Sequence, residues 1–417
     1  MLSKFIERIF GKKSSKPNRT KTSDRLRVVI ELSSFDKGGL EKVVLDQALS
    51  FDPVGFEVVI VTPGKLGHLA TVAERQHLRV EKLPEVGGKR AYKALLQSIQ
   101  PDVAISHFCD FGYPLFHELN IPNVTFIHNI YAFMPNEVRE NFISNDKYVT
   151  RYISVSPKAS VFASENLGVL SKKIITVPNG LIIKEHENRL RNSPRIDRSY
   201  FELNDEDYVF LNPASYNLHK GHYVMANALK KILRVRDDIK ILCIGNTIYP
   251  PHVAELTNYI KENGLEHHML MPGYYDAIED PMRIADACLM PSFIEGWSIA
   301  MNEAMFYGKP LILTNTGGAE EVIENNDIGI LIPTEYPDYR RLTSPLLDEL
   351  AYKPRQYRIE EDLVNAMIDF ADNRQKWAAA GLRGREKLLS LYDFNGAMRR
   401  YETVLSEVVR SSSQKAP

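Results

Sequence analysis

The sequence predicts an α/β protein made of two doubly wound parallel sheets that face each other across a central cleft. Three observations lead there. Short, continuously apolar runs alternate along the chain with segments of helical periodicity, the pattern of a parallel sheet covered on both faces. The series lapses into charge over residues 184–203 (KEHENRLRNSPRIDRSYFEL) and then restarts. At 417 residues, the chain is also longer than one hydrophobic core ordinarily serves. A linker over residues 186–203 therefore divides a first unit, 26–185, from a second, 204–392. A break of this kind argues against a single barrel.

The segments follow in order. Residues 1–25 differ from the rest: Leu2, Phe5, Ile6, Ile9 and Phe10 fall at helical spacing, and Lys12, Lys13, Lys16, Arg19 and Lys21 follow. An apolar stripe with a polybasic tail suits an anionic membrane surface, reached through residues 1–22. A tail, or a helix docked on its own domain, is the plainer alternative. From Leu26, LRVVIEL reads as a strand, SSFDKGG as a loop, and LEKVVLDQALS as a helix with Leu40, Val43, Val44 and Ala48 on one face. FEVVIVT, PDVAISH, NVTFIH and RYISVS read as further strands, and KRAYKALLQSIQ as a helix. After the linker come YVFLNPAS, IKILCIG, HHMLMPG, CLMPS, PLILTN and GILIP as strands, with helices between them; from about Pro337 the chain is mostly helical.

Composition narrows the function. Fifty-two basic residues against 53 acidic ones leave no global field to attract nucleic acid, so a charged partner must be met locally. Cys109, Cys243 and Cys288 are too scattered for a disulfide framework or a metal motif, which fits a reducing compartment. No apolar run approaches the ~18 residues of a membrane span, and no secretory signal is evident. The expectation is a cytoplasmic protein, peripheral on the inner face of the cytoplasmic membrane if residues 1–22 act as an anchor.

Ligands of open α/β sheets bind beyond the carboxyl ends of the strands, which leaves a few loops. Gly38 and Gly39 let backbone N–H groups approach an anion at a helix start, although a simple tight turn is the better explanation of G-G alone. They do not form the G-x-G-x-x-G fingerprint of dinucleotide binders. His128 follows a strand directly, and His107 holds the equivalent place one strand earlier; a hydrogen-bonded core histidine is the alternative for each. Lys220, before Gly221, would meet a phosphate as a point charge, or is an ordinary surface lysine.

The richest stretch is PSFIEGWSIAMNEAMFYGKP. A helix starting near Ser298 offers the N–H groups of Trp297, Ser298 and Ile299 to an anion. Glu295 before the helix and Glu303 within it would repel a diphosphate but suit vicinal hydroxyls. Anion donors flanked by two hydroxyl acceptors describe a nucleotide with a sugar at each end of its diphosphate. Glu303 would take the ribose and Glu295 the transferred sugar. Packing alone explains Glu303 poorly, because a buried helix rarely keeps an unpaired glutamate. Gly317 and Gly318 open another helix and would let their loop approach a ligand, while Glu321 suits that helix's dipole. Asp205 and Asp207 have the D-x-D shape of metal-nucleotide transferases but precede a strand, at the wrong end of the sheet. No other cluster has metal spacing.

Together these residues resemble glycosyltransferase family 4, the retaining sugar-nucleotide enzymes of GT-B fold, with two Rossmann-like domains. The similarity runs from about Leu26 to the final helix and is most specific over residues 269–332. Glu295 and Glu303 match the family's spaced glutamate pair, Lys220-Gly221 its K-G, Gly38-Gly39 its amino-terminal glycine loop. His128 matches the histidine at the cleft floor, and Asn179-Gly180 the end of the first domain. The resemblance implies that Lys220 neutralises the diphosphate and Glu303 holds the ribose. It implies that Glu295 meets the donor sugar near its 3- and 4-hydroxyls and His128 its 6-position. The backbone near Gly273 and Tyr274 would meet the base, and a carboxyl-terminal helix, about 393–410, would complete the first domain.

One position departs from the pattern. Ser215 stands where the family carries an arginine, and a serine cannot supply that charge. Either His219 substitutes in part or the site is weakened. The expected function is retaining, metal-independent transfer from a UDP-, GDP- or other nucleoside-diphosphate sugar to a hydroxyl of a glycan or lipid-linked acceptor. Cell-envelope polysaccharide or glycolipid synthesis is the expected setting. A nucleotide-sugar-binding or scaffold protein is the alternative that Ser215 favours. A GT-B sugar-nucleotide epimerase would need acid/base carboxylates in the first domain's loops, which the sequence does not offer.

Overall fold

The computed structural model describes residues 25–414 apart from 37, 194 and 353. The amphipathic segment 1–22 thus lies outside the described residues. The chain forms two parallel sheets. The first has seven strands in the order β3-β2-β1-β4-β5-β6-β7. They are β1 (Leu26–Leu32), β2 (Phe56–Thr62), β3 (Arg79–Lys82), β4 (Val103–His107), β5 (Asn123–Ile127), β6 (Arg151–Ser154) and β7 (Ile174–Thr176). The second has six, β10-β9-β8-β11-β12-β13. These are β8 (Tyr208–Pro213), β9 (Ile239–Ile244), β10 (Met269–Gly273), β11 (Ala287–Met290), β12 (Leu311–Thr314) and β13 (Gly329–Ile332). Strand order reverses between β1 and β4 in one sheet and between β8 and β11 in the other, so both are doubly wound.

Burial on both faces explains the unbroken apolar runs. In β1, Val28, Ile30 and Leu32 pack on one face against Val44 and Leu45 of the Gly39–Ser50 helix. Tyr401, Leu405 and Val408 of the final helix, Phe394–Ser413, join that same core. The last helix therefore covers the first sheet rather than the second. Val29 turns to the opposite face with Val59, Tyr92 and Phe116.

Two short strands, β3 and β7, were not legible as apolar runs, because β3 is Arg-Val-Glu-Lys and β7 has only three residues. The stretch read as a linker begins with a helix, Ile183–Asn192. Its buried face is narrow: His186 is enclosed, while Ile183 and Leu190 are half-buried beside a core cluster. Its polar face is laced by Glu185–Arg189 (2.6 Å) and Glu187–Arg191 (3.5 Å), four residues apart. Charge concealed an amphipathic helix there.

Candidate functional site

The carboxyl ends of the two sheets meet. Asn129, just after β5, pairs as an isolated antiparallel bridge with Gly296, just after β11. A Cβ on Gly296 would stand 1.9 Å from the His128 carbonyl oxygen, so only glycine lets the two backbones touch. A second clasp lies beside it. Asn179 Nδ2 donates to the Trp297 carbonyl (3.1 Å), Asn302 Nδ2 donates to the Asn179 carbonyl (2.8 Å), and the Trp297 indole donates to Asn302 Oδ1 (3.1 Å).

Lys220 ends a tight 3-10 turn, Leu218–Lys220, and Gly221 follows with φ of 74°, a left-handed conformation glycine adopts freely. A side chain at Gly221 would also run into the Pro291 carbonyl at 2.2 Å. This loop carries the Lys220 ammonium to within 2.6 Å of Glu295 Oε1, which also accepts from Ser292 Oγ (2.8 Å). Thr316 Oγ1 accepts from the Glu295 backbone N–H at 3.3 Å. Lys220, Glu295 and His128 are thereby gathered on one loop cluster. A hollow of about 20 Å³ remains between Glu295, Ser298, Met301 and Thr316.

The helix after Glu295 runs from Ile299 to Phe306, with Ser298 as its cap accepting from Met301 N–H (3.4 Å). The helix thus starts at Ile299, one residue later than the sequence suggests. Trp297 precedes the cap, and its side chain is buried in the clasp. Glu303 lies in the second turn. Burial lifts its carboxyl to about 7, against the pull of Arg189 and Lys42. His186 Nε2 is 3.9 Å away. Arg189 and Lys42 themselves bind Glu185, at 2.6 and 3.2 Å.

His128 belongs to a buried relay. Its Nε2 is 2.9 Å from His107 Nδ1, and His107 Nε2 is 2.8 Å from Gln47 Oε1. Desolvation lowers His128 to about 4 and His107 well below its ordinary value, so both are neutral near pH 7. With Gln47 Oε1 accepting, His107 carries its proton on Nε2 and accepts from His128 Nε2–H. That leaves His128 Nδ1 as an acceptor. Gln47 escaped notice in the sequence, although it falls on the same helical face as Val43, Val44 and Ala48, where a buried amide needs a partner.

The remaining positions are mixed. Gly38 caps the Gly39–Ser50 helix, and a Cβ on Gly39 would meet open space. Gly273 already spends its N–H on Tyr216 Oη (3.0 Å) and its carbonyl on Gly245 N–H (3.0 Å), while Tyr274 beside it is exposed. Gly317 and Gly318 make room for protein rather than ligand: added Cβ atoms would strike the Gly296 carbonyl at 2.4 Å and the Trp297 ring at 2.1 Å. Ser215 is half-buried in the loop before Lys220. Burial lowers the His219 pKa, which disfavours the charged ring that would stand in for the missing cation. Asp207 caps a turn ahead of β8, accepting from Asn204 N–H at 2.7 Å, on the side of the sheet away from Lys220. Among the described residues no group of three His, Cys, Asp or Glu could hold a metal ion.

Two facing doubly wound domains with this loop cluster between them define the GT-B class. Family models agree: "Glycosyltransferase Family 4" matches residues 37–185 and "Glycosyl transferases group 1" matches 195–347. The chain belongs to the family 4-like glycosyltransferases. It is 25% identical over 240 residues to the N-acetyl-alpha-D-glucosaminyl L-malate synthase of Bacillus anthracis, covering 58% of this chain and 55% of that one. It is 25% identical over 194 residues to the UDP-Gal:alpha-D-GlcNAc-diphosphoundecaprenol alpha-1,3-galactosyltransferase of Escherichia coli, covering 45% and 48%. The chain thus spans about half the length of these curated relatives. Among solved structures it resembles Anabaena HepE in complex with UDP and glucose, with a TM-score of 0.75 at 17% identity, covering 92% of this chain and 100% of that one. It also resembles WaaG, a glycosyltransferase involved in lipopolysaccharide biosynthesis, with a TM-score of 0.62 at 14% identity, covering 91% and 99%. At such identities these structures bear on the fold alone.

Proposed function

We propose that the chain is a retaining, metal-independent glycosyltransferase that moves a sugar from a nucleoside-diphosphate sugar to an acceptor hydroxyl in cell-envelope polysaccharide or glycolipid synthesis. The observation that supports this best is the convergence of Lys220, Glu295 and the His128 loop on the amino-terminal end of the Ile299–Phe306 helix. An ammonium and helix N–H groups suit a departing diphosphate, whose charge grows as the glycosidic bond breaks. Glu295, released from Lys220 by the phosphates, would turn to the sugar hydroxyls, and neutral His128 would accept from another. Glu303 would receive the ribose. In this mechanism the leaving phosphate takes the proton of the acceptor hydroxyl on the face it vacates.

The test is donor turnover by the purified chain with UDP-, GDP- and ADP-sugars, with and without excess chelator. Activity should survive chelation, the product should keep the donor's anomeric configuration, and Lys220→Ala should lower turnover by ~100-fold or more. An absolute metal requirement or an inverted product would overturn the mechanism. Ser215, with the charged form of His219 (near it in sequence) disfavoured by burial, supports a second reading, a nucleotide-sugar-binding protein with weak transferase activity. Tight donor binding without turnover, restored by Ser215→Arg, would favour it.

A further inference from the structure

Phe126 and Tyr131 touch the His128 relay: Phe126 stacks on His107 at 4.4 Å, and Tyr131 Oη accepts from His128 N–H at 3.0 Å. The same two rings help line a separate hollow of about 290 Å³, walled also by Tyr113, Phe142 and Tyr152. Near ~300 Å³, a cavity is at the small end of ligand pockets. Its mouth is polar. Asp110 and Asn141 are exposed there, and Asn145 Nδ2 donates to Asp110 Oδ2 at 2.8 Å. No Lys, Arg or His lines it.

Phe108 is the unusual member. Its φ is 49°, left-handed for a bulky residue, and its ring is 46% exposed at the mouth. Such a backbone costs about 1–3 kcal/mol and persists where the surroundings enforce it. They do so here: at the end of the same loop, Gly112 N–H is held by the buried Glu31 carboxyl at 3.0 Å, and the Phe108 ring meets Tyr131 edge-on at 5.6 Å. An apolar ring is thereby kept in water next to a carboxylate and two amides, a combination that packing does not ask for.

We propose that this hollow is a saccharide subsite that seats a neutral sugar unit of the acceptor, its C–H face on Phe108 and its hydroxyls on Asp110, Asn141 and Asn145. The assignment rests on the transferase reading above and names the acceptor chemistry that reading leaves open. A pyranose has an apolar face and a rim of hydroxyls, which match an aromatic platform edged by a carboxylate and amides. A phosphate would meet Asp110 without a compensating cation among the lining residues. An acyl or prenyl chain would leave the hydrogen-bonding groups of Asp110, Asn141 and Asn145 unused.

Saturation-transfer NMR on the full chain tests it, using the methyl α-glycosides of glucose, galactose, mannose and N-acetylglucosamine, with decanol as the apolar probe. At least one glycoside should bind, Phe108→Gly should weaken that binding at least tenfold, and Phe108→Tyr should retain it. Asp110→Asn should weaken it too. Phe108→Gly relieves the left-handed backbone, so its melting temperature should not fall, which separates lost binding from lost folding. If no glycoside gives a Phe108-dependent signal, or decanol alone does, the subsite is wrong. Thermal shift with UDP-glucose and GDP-mannose runs alongside. A missing donor shift with intact glycoside binding would sink the transferase reading while the sugar site stands.

Discussion

Lys220 and Glu295 neutralise each other at 2.6 Å, so the two residues that the glutamate pair and the K-G motif pointed to were legible, but their mutual contact was not. Neither motif says how far apart two loops from different strands will lie. Glu303 was legible for a physical reason, since a carboxyl inside an apolar helix demands an explanation. Its carboxyl rises from an ordinary 4.5 to about 7, chiefly through burial. A raised acid contributes stability below its unfolded value and loses that contribution as pH climbs through about 7. A ribose diol donates to the ionised form, so nucleotide binding should change in the opposite sense. Between about pH 5 and 7 the free protein should lose stability while nucleotide affinity increases, both levelling off above that, and Glu303→Gln should flatten both curves. Glu295→Ala should leave nucleotide affinity nearly intact and cut turnover. Titration calorimetry at several pH values decides it: a wild-type affinity indifferent to pH removes Glu303 from the ribose.

At the scale of elements, runs such as VVIEL in β1 and AISH in β4 were readable because strands buried on both faces are mostly apolar, and their buried polar members are partnered, Ser106 Oγ donating to Glu31 Oε1 at 3.0 Å. Charged β3 and the salt-bridged Ile183–Asn192 helix were not, since edge position and paired charge erase that signal. Contacts between elements were hidden altogether. The Gln47–His107–His128 relay joins one helix to two strands across separations of 60 and 21 residues, and no local pattern encodes it. Its consequence is a fixed tautomer of His128. Gln47→Leu keeps the volume and removes the acceptor, so His107 should no longer hold one tautomer, and neither should His128. Turnover should fall about tenfold, the worth of one buried hydrogen bond, with nucleotide affinity unchanged. Nitrogen-15 shifts of the His128 ring supply the control. A variant that keeps the wild-type tautomer yet loses turnover would leave the relay a packing feature.

For the whole molecule, two switch points facing each other make one cleft, and the Asn129–Gly296 bridge closes it at the floor. The near balance of 52 basic and 53 acidic residues gives that molecule no net attraction to an anionic surface. Among the described residues no helix is long and apolar enough to cross a membrane. Any affinity for a lipid surface must therefore be local, and residues 1–22 are where we propose it. Lys12, Lys13, Lys16, Arg19 and Lys21 would each contribute about 1 kcal/mol near an anionic leaflet. Leu2, Phe5, Ile6, Ile9 and Phe10 would add shallow apolar insertion. Binding of that origin is reversible and screened by salt. Sedimentation with liposomes rich in phosphatidylserine or phosphatidylglycerol should recover the full chain at low salt and release it at about 1 M, where the Debye length shrinks to ~3 Å. Deleting residues 1–22 should abolish recovery while leaving nucleotide affinity untouched, since the residues proposed to bind the donor, Lys220, Glu295 and Glu303 among them, lie elsewhere in the chain. Should the full chain ignore anionic liposomes at low salt, a soluble acceptor becomes the better assignment for the saccharide that Phe108 is proposed to hold.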